Sequence, residues 1–386
     1  MKENNLLKLE SYGQSIWLDA LNRPLLTSGE LQRLITEDGV SGITSNPAIF
    51  EKAIAESSDY DDAIRALAAA GKPAEEIYRA LAVEDIRLAA DQLRPVYDRL
   101  DGRDGFVSLE VSPRLANNTR GSIAEARALW GAVDRPNVFI KIPGTREGLP
   151  AVRQLISEGI NINITLLFGL TRYRQVADAY LAGLEDRLNR GEPVAHVASV
   201  VSFFLSRIDV LIDPILEQKM AAGGTEGRKA GEILGEVAIA SAKVAYAIFS
   251  DVFGAARFAN LAPRGAKIQR LLWASTGTKN PAYSDVKYVE PLIGEQTINT
   301  LPMETLRAYR DHGKPASRLT EGVDKAQKVL GSLPELGIDL EAATQTLVDE
   351  GIEKFIKPYD ILLARLDEKR AAFLGRQKRG EHQMPF

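Results

Sequence analysis

Apolar residues follow two alternating rhythms along this chain. Short runs rich in β-branched residues are separated by longer stretches whose apolar positions recur at helical spacing, and this alternation predicts a parallel α/β sheet. Eight strands are predicted: SIWLDA (15–20), VSGITS (40–45), FVSLEV (106–111), NVFIKI (137–142), NINITL (161–166), HVASVVS (196–202), RLLWAS (270–275) and VKYVEPL (286–292). Tyr173, Val176, Tyr180, Leu184 and Leu188 trace one apolar face of a helix between two of them. A helical insertion over 46–100 separates the second strand from the third. Another helical stretch, rich in small residues, runs over 227–249. Eight strands with helices between them predict a closed (α/β)8 TIM barrel.

After Pro302 the strand signal fades. Helices are predicted over 303–375, with Asp339 as an N-cap and Pro358 as a kink or a new start. We read 1–386 as one barrel domain, with 303–375 a helical extension packed on it and 376–386 a loose polar tail. No internal repeat or low-complexity block is present.

Strand parity then sorts the side chains, because successive residues point to opposite sheet faces. Val107, Leu109 and Val111 share one face, and Phe106, Ser108 and Glu110 the other. Val138, Ile140 and Ile142 oppose Phe139 and Lys141; Ile162, Ile164 and Leu166 oppose Asn161, Asn163 and Thr165; Ile16 and Leu18 oppose Trp17 and Asp19. The aliphatic faces belong under the helices, so the mixed faces point into the barrel. Asp19, Glu110, Lys141, Asn163 and Thr165 then converge near the C-terminal ends of their strands, where active sites of this architecture are built. Trp17 and Trp273 are expected to fill the lumen, and His196 to be a satisfied residue within its strand.

A lysine near a strand end is commonly a snorkelling surface residue, and a lone acid there is commonly a cap. Five polar positions from four strands, all opposite an aliphatic face, are not explained that way. A lysine in a partly apolar pocket can supply a neutral amine that adds to a ketone or aldehyde, while neighbouring carboxylates carry protons and position water. The set therefore supports aldol cleavage and condensation through a Schiff base, with no cofactor and no metal.

Composition excludes several other classes. There is no cysteine, and the three histidines, His196, His312 and His382, are too dispersed for a metal motif or a catalytic triad. The formal net charge of −4 argues against nucleic-acid binding through a basic surface. The N-terminus lacks the apolar core of a signal peptide. VASVVSFFL reads as the longest apolar stretch, shorter than the roughly 18 residues a spanning helix needs, so no membrane contact and a cytoplasmic location are expected. The small-residue segment 231–247 is compatible with close helix packing within a subunit or in a homo-oligomer.

Five motifs add a resemblance to this reading. DGVSGITSNPAIF (38–50), IKIPGTREGLPAV (140–152), NINITLLF, SFFLSRID and LLWASTGTKNP strongly resemble blocks of the transaldolase family, in order and over nearly the whole chain. The resemblance implies an (α/β)8 enzyme that moves a dihydroxyacetone unit between sugar phosphates in the pentose phosphate pathway. It makes Lys141 the Schiff-base lysine and Asp19 the base for the C4 hydroxyl. Glu110 and Thr165 would hold the proton-relaying water, and Asn46 and Asn163 the hydroxyls of the enamine. Ser202, Phe204, Arg207 and Ser275 would line the substrate and its phosphate. Many relatives carry SFRN where this chain has STGTKN, so Gly277 replaces an arginine; Lys279 is either its substitute or a solvated loop residue. The family's aldolase branch has Gln at the Glu110 position and Tyr at the Phe204 position. The alternatives are thus a fructose 6-phosphate aldolase-type lyase and a non-catalytic sugar-phosphate-binding barrel.

Overall fold

The computed structural model describes residues 4–381, with side chains described through residue 375. Eight parallel strands close into a barrel in chain order: β1 (Gln14–Leu18), β2 (Val40–Ile43), β3 (Phe106–Glu110), β4 (Val138–Pro143), β5 (Ile162–Leu167), β6 (Ser199–Phe204), β7 (Arg270–Ala274) and β8 (Thr297–Leu301). The aliphatic faces behave as parity requires: Val138, Ile140, Ile142, Ile162 and Ile164 are completely buried between the sheet and the helices outside it. Inside, Phe106 stacks on Phe139 (ring centroids 4.2 Å apart) and Trp17 lies 6.2 Å from Phe139, so aromatic rings from three strands fill the lower lumen.

Register is what positions the chemistry. Glu110 of β3 pairs with Lys141 of β4, and Lys141 with Asn163 of β5. Directly paired residues of neighbouring strands share a face, so all three side chains enter the lumen at one height.

The eighth strand is not VKYVEPL. Residues 286–292 form turns and a short 3-10 helix, Glu290–Leu292, while β8 is the polar TINTL segment at 297–301. Pro291 has no N–H to give a ladder. The apolar residues that suggested a strand, Val286, Tyr288, Val289 and Leu292, are buried instead as a loop against the outside of β1, β7 and β8. That loop also explains why β8 breaks the parity rule. Its outward side chains are polar because they meet backbone: Asn299 donates to the Tyr288 carbonyl (3.1 Å), Thr297 to the Gly294 carbonyl (2.6 Å), and Gln14 of β1 to the Leu292 carbonyl (2.7 Å).

Two further expectations are corrected by the same layer. Trp273 faces outward, giving its indole N–H to the Leu292 carbonyl at 3.1 Å and packing edge-on to Phe203. The inward positions of β7 begin with Arg270. His196 is exposed in a turn ahead of β6, beside the Arg187 guanidinium.

Three helices, Pro47–Ala55, Asp61–Ala69 and Ala74–Arg99, make the insertion after β2. The segment 227–249 is two helices, Gly224–Ile233 and Val237–Gly254, broken at Gly235, whose φ of 72° no side chain favours. Asp213 accepts the Gly235 N–H and Asp209 the Ala238 N–H, which caps the second helix. Val237–Gly254, not VASVVSFFL, is the most apolar long stretch. Among the described residues it is the one helix long and apolar enough to span a membrane, and it packs in the outer layer against Leu170–Asn189, Ser206–Ala222 and Val323–Ser332.

After β8 come Met303–His312, Val323–Ser332 and a 42-residue helix, Leu340–Glu381. Asp339 accepts the Ala342 N–H (3.1 Å), the contact of an N-cap, and the helix runs through Pro358 without ending. It lies on the insertion helices, where Lys369 donates to the Ile54 and Ser57 carbonyls and pairs with Asp61 at 2.8 Å. Helix continues to Glu381, so the segment expected to be loose starts helical; residues 382–386 lie outside the described residues.

Candidate active site

Lys141 enters the upper lumen from β4 and is 4% exposed. Its Nζ lies 2.7 Å from Oε1 of Glu110 and donates to the Ser45 carbonyl at 2.9 Å. The loop after β2 thus supplies an acceptor that parity did not identify. Ser45 is held there by its hydroxyl, which donates to the Ser108 carbonyl (2.7 Å).

Asp19 stands one residue beyond β1, with its N–H bonded to the Leu301 carbonyl. Its Oδ1 accepts from the Thr44 hydroxyl at 2.6 Å, and Thr44 in turn contacts Thr300 at 2.7 Å. Burial pushes the Asp19 carboxyl above its ordinary range, against the opposing pull of the Thr44 hydrogen bond and the cations Lys141, Lys279 and Arg207. Burial raises Glu110 as well; Lys141 opposes this and the negative charge of Asp19 adds to it. The lumen therefore holds two acids biased toward taking up protons and one amine between them.

On the same faces, Ser202 donates to Asn163 Oδ1 (2.8 Å) and Asn163 donates to the Ser108 hydroxyl (3.0 Å), a chain that fixes the amide's orientation. Thr165 is fully buried, with its hydroxyl beside the Glu110 carboxylate, whose pKa it helps to hold down without making a well-formed hydrogen bond. Asn46 caps Pro47–Ala55 through Oδ1, which accepts the Ile49 N–H, and its amide N–H2 makes no hydrogen bond among the described residues.

The upper rim is cationic. Arg207 sits in the first turn of Ser206–Ala222, 5.4 Å above the Phe204 ring and 6.0 Å from Phe355 of the C-terminal helix. Its Nη1 is buried without a hydrogen-bond partner among the described residues. Burial lowers its pKa, opposed by Glu350, Asp19 and Glu110. Ser275 has a left-handed φ of 54° and its hydroxyl meets Ser206 at 2.9 Å. Lys279 is exposed, with Nζ 3.7 Å from where a Cβ on Gly277 would stand. Leu166 departs from parity: at φ 55°, within a register shift of β5 against β6, it meets Gly351 of the C-terminal helix.

All eleven residues singled out in the sequence thus lie in or around the C-terminal end of one barrel. Sequence reasoning missed Thr44, Ser45, Ser108, Thr300, Glu350 and Phe355. Ser108 was on the mixed face of its strand, and Thr44 and Ser45 were inside a quoted motif. Nothing local pointed to Glu350 or Phe355, which arrive from a distant helix.

A family model described as transaldolase/fructose-6-phosphate aldolase matches residues 16–366. The chain belongs to that family. It is 48% identical to "Transaldolase 2" of Nostoc sp. over 374 residues, covering 96% of this chain and 98% of the relative. It is 48% identical to "Transaldolase" of Trichodesmium erythraeum, with coverage of 96% and 98%, and 47% identical to "Transaldolase" of Saccharopolyspora erythraea, with coverage of 95% and 98%. Identity at this level over nearly the full length makes the chain a transaldolase-type enzyme. The family also contains lyases, so the direction of the chemistry rests on the residues around the lysine.

Proposed function

We propose that Lys141, Glu110 and Asp19 carry a Schiff-base transfer of a dihydroxyacetone unit from sedoheptulose 7-phosphate or fructose 6-phosphate to an aldose phosphate, as the transaldolase resemblance implies. The observation that carries this reading is the enclosed ammonium 2.7 Å from Glu110, with the electrostatic reach of Asp19 across the same lumen.

Glu110, with its raised pKa, accepts a proton from the ammonium, and the freed amine adds to the C2 carbonyl of the ketose. The carbinolamine loses its hydroxyl as water, protonated through Glu110, and leaves an iminium. The Thr165 hydroxyl and the Glu110 carboxylate stand side by side, and both can hold that water. Asp19 takes the C4 hydroxyl proton as the C3–C4 bond breaks. The bonding pair flows into the iminium to give an enamine, and the aldose phosphate leaves. Asn163, oriented by Ser108 and Ser202, and Asn46, through its unused N–H2, hydrogen-bond the enamine hydroxyls. A second aldehyde then accepts the enamine carbon, its oxygen takes the proton from Asp19, and hydration of the iminium releases the new ketose.

Phosphate requires fixed cations. Arg207, with a buried unpartnered Nη1, is the principal one, aided by the Ser275 hydroxyl; Lys279 supplies charge from the space left by Gly277. Glu110 and Phe204 stand where the aldolase branch carries Gln and Tyr, which favours transfer over simple cleavage. A cytoplasmic location fits substrates whose phosphates keep them from crossing membranes.

Borohydride reduction in the presence of fructose 6-phosphate tests the proposal. A dihydroxyacetone-derived mass increase on the peptide bearing Lys141 is expected. An unmodified peptide would refute the Schiff base, and release of free dihydroxyacetone without an acceptor would assign the chain to the lyases.

A further inference from the structure

Two carboxylates one turn apart on the helix Ser206–Ala222 face the loop that follows β7. Asp209 is 2% exposed and accepts the Tyr288 hydroxyl at 2.8 Å and the Lys287 ammonium at 2.9 Å. Asp213 accepts the Tyr283 hydroxyl at 2.8 Å. Lys287 Nζ also lies 3.4 Å from the centre of the Tyr283 ring, so these contacts form one connected cluster. Gly235 leaves room for it: a Cβ there would stand 2.6 Å from the Tyr283 hydroxyl oxygen and 3.0 Å from Lys287 Nζ.

The same helix and the same loop carry the cations of the barrel rim. Arg207 sits two residues before Asp209, and Lys279 four residues before Tyr283. Thr276 gives its hydroxyl to the Thr300 carbonyl at 2.8 Å, which anchors the start of the loop on β8. Thr278 gives its hydroxyl to the Ser284 carbonyl at 2.8 Å, and Asn280 Oδ1 accepts the Ala282 N–H at 2.9 Å, so residues 278–284 close on themselves around Lys279. Lys279 is exposed, yet its charge bears on Asp19 in the lumen together with those of Lys141 and Arg207.

These bonds fix the shape of the loop but not its distance from Arg207. Beyond the Ser206–Ser275 contact at its start, the polar side-chain contacts that tie the loop to the arginine's own helix are those of Tyr283, Lys287 and Tyr288. A lysine is a point charge on a flexible stem, so what it gives a phosphate depends on where its backbone is held. With Gly277 in place of an arginine, that placement matters more than it would for a planar fork.

We propose that Tyr283, Lys287 and Tyr288, through Asp213 and Asp209, are positioning residues for the phosphate site: they hold Lys279 at a fixed span from Arg207, so that both cations take one phosphate monoester. The inference rests on the phosphate reading of Arg207 and Lys279 given above. It adds a device that acts on phosphorylated substrates alone.

Tyr283→Phe, which removes one oxygen from a partly exposed ring, tests this. In steady-state assays at low ionic strength KM for fructose 6-phosphate should rise about twofold to fivefold, as for Lys279→Ala, with kcat unchanged. Half-saturation of borohydride trapping by dihydroxyacetone, which carries no phosphate, should stay the same. In a Lys279→Ala background Tyr283→Phe should raise KM no further. Lys287→Met should repeat the pattern. A merely structural role would change both substrates alike and would add to the loss of Lys279. Either of those outcomes, or an unchanged KM for fructose 6-phosphate in Tyr283→Phe, would overturn the proposal. Arg207→Ala separates it from the reading beneath it. An unchanged KM in that variant would refute the phosphate site and the clamp together, whereas a raised KM there with Tyr283→Phe indifferent would remove the clamp alone.

Discussion

Glu110 and Lys141 face each other across the β3–β4 ladder, and their side chains meet at 2.7 Å inside the barrel, each less than a tenth exposed. Breaking a buried pair leaves an uncompensated charge, at a cost of about 3–5 kcal/mol, whereas replacing both partners with neutral groups costs much less. Lys141→Met should therefore abolish turnover and lower stability in chemical denaturation. The double variant Lys141→Met/Glu110→Gln should remain inactive yet recover most of that stability. A double variant as unstable as the single one would show that the pair is not coupled as the geometry requires.

Asp19 is raised by burial, so its native form holds a proton more readily than its unfolded form. Stability then falls as pH rises from the unfolded carboxylate value of about 3.9 through the higher native value. Asp19→Asn removes that penalty while keeping an oxygen acceptor for Thr44. Thermal denaturation at neutral pH should show a higher melting temperature for the variant, and the gain should vanish below about pH 3.9. Activity should be lost at every pH. The wild-type rate should rise with pH as Asp19 ionises, with its acid limb above the ordinary carboxylate range.

Arg207 is stacked between Phe204 and Phe355 with one buried nitrogen unused. Arg207→Ala should raise KM for phosphorylated ketoses by about 10- to 100-fold, the worth of one charge-assisted contact or more, with a smaller effect on borohydride trapping at saturating substrate. Arg207→Lys should restore only part, because an ammonium lacks the planar fork.

Gly351 makes the C-terminal helix part of that arrangement. A Cβ there would stand 2.9 Å from Leu166 Cδ2 and 3.6 Å from Arg207 Nη1. Gly351→Val should displace both side chains and raise KM in steady-state assays, although residue 351 lies some two hundred positions beyond Lys141 in the chain. An unchanged KM would show that the helix does not constrain the arginine.

Lys279 is exposed, so its contribution is screened by salt. Lys279→Ala should raise KM about twofold to fivefold at low ionic strength, and the difference should shrink as salt is added. A difference independent of salt would point to a direct, desolvated contact.

The sequence by itself determined seven of the eight strands, the face of each that carries Asp19, Glu110, Lys141, Asn163 and Thr165, and their grouping at one end of a barrel. It could do so because side-chain direction alternates strictly along a strand, and because these faces lie between continuous helices and a shared lumen. Where a loop covered the sheet instead, the same rule failed. VKYVEPL has the hydrophobicity of a strand but buries it against the barrel's outer wall, while TINTL is polar because its outward groups meet backbone. Only the tertiary structure decided that Trp273 points outward, that the Ser45 carbonyl receives the lysine, and that Phe355 and Gly351 bear on Arg207. These are contacts between segments far apart in the chain, fixed by register, a left-handed residue and the path of one long helix, none of which has a local signature.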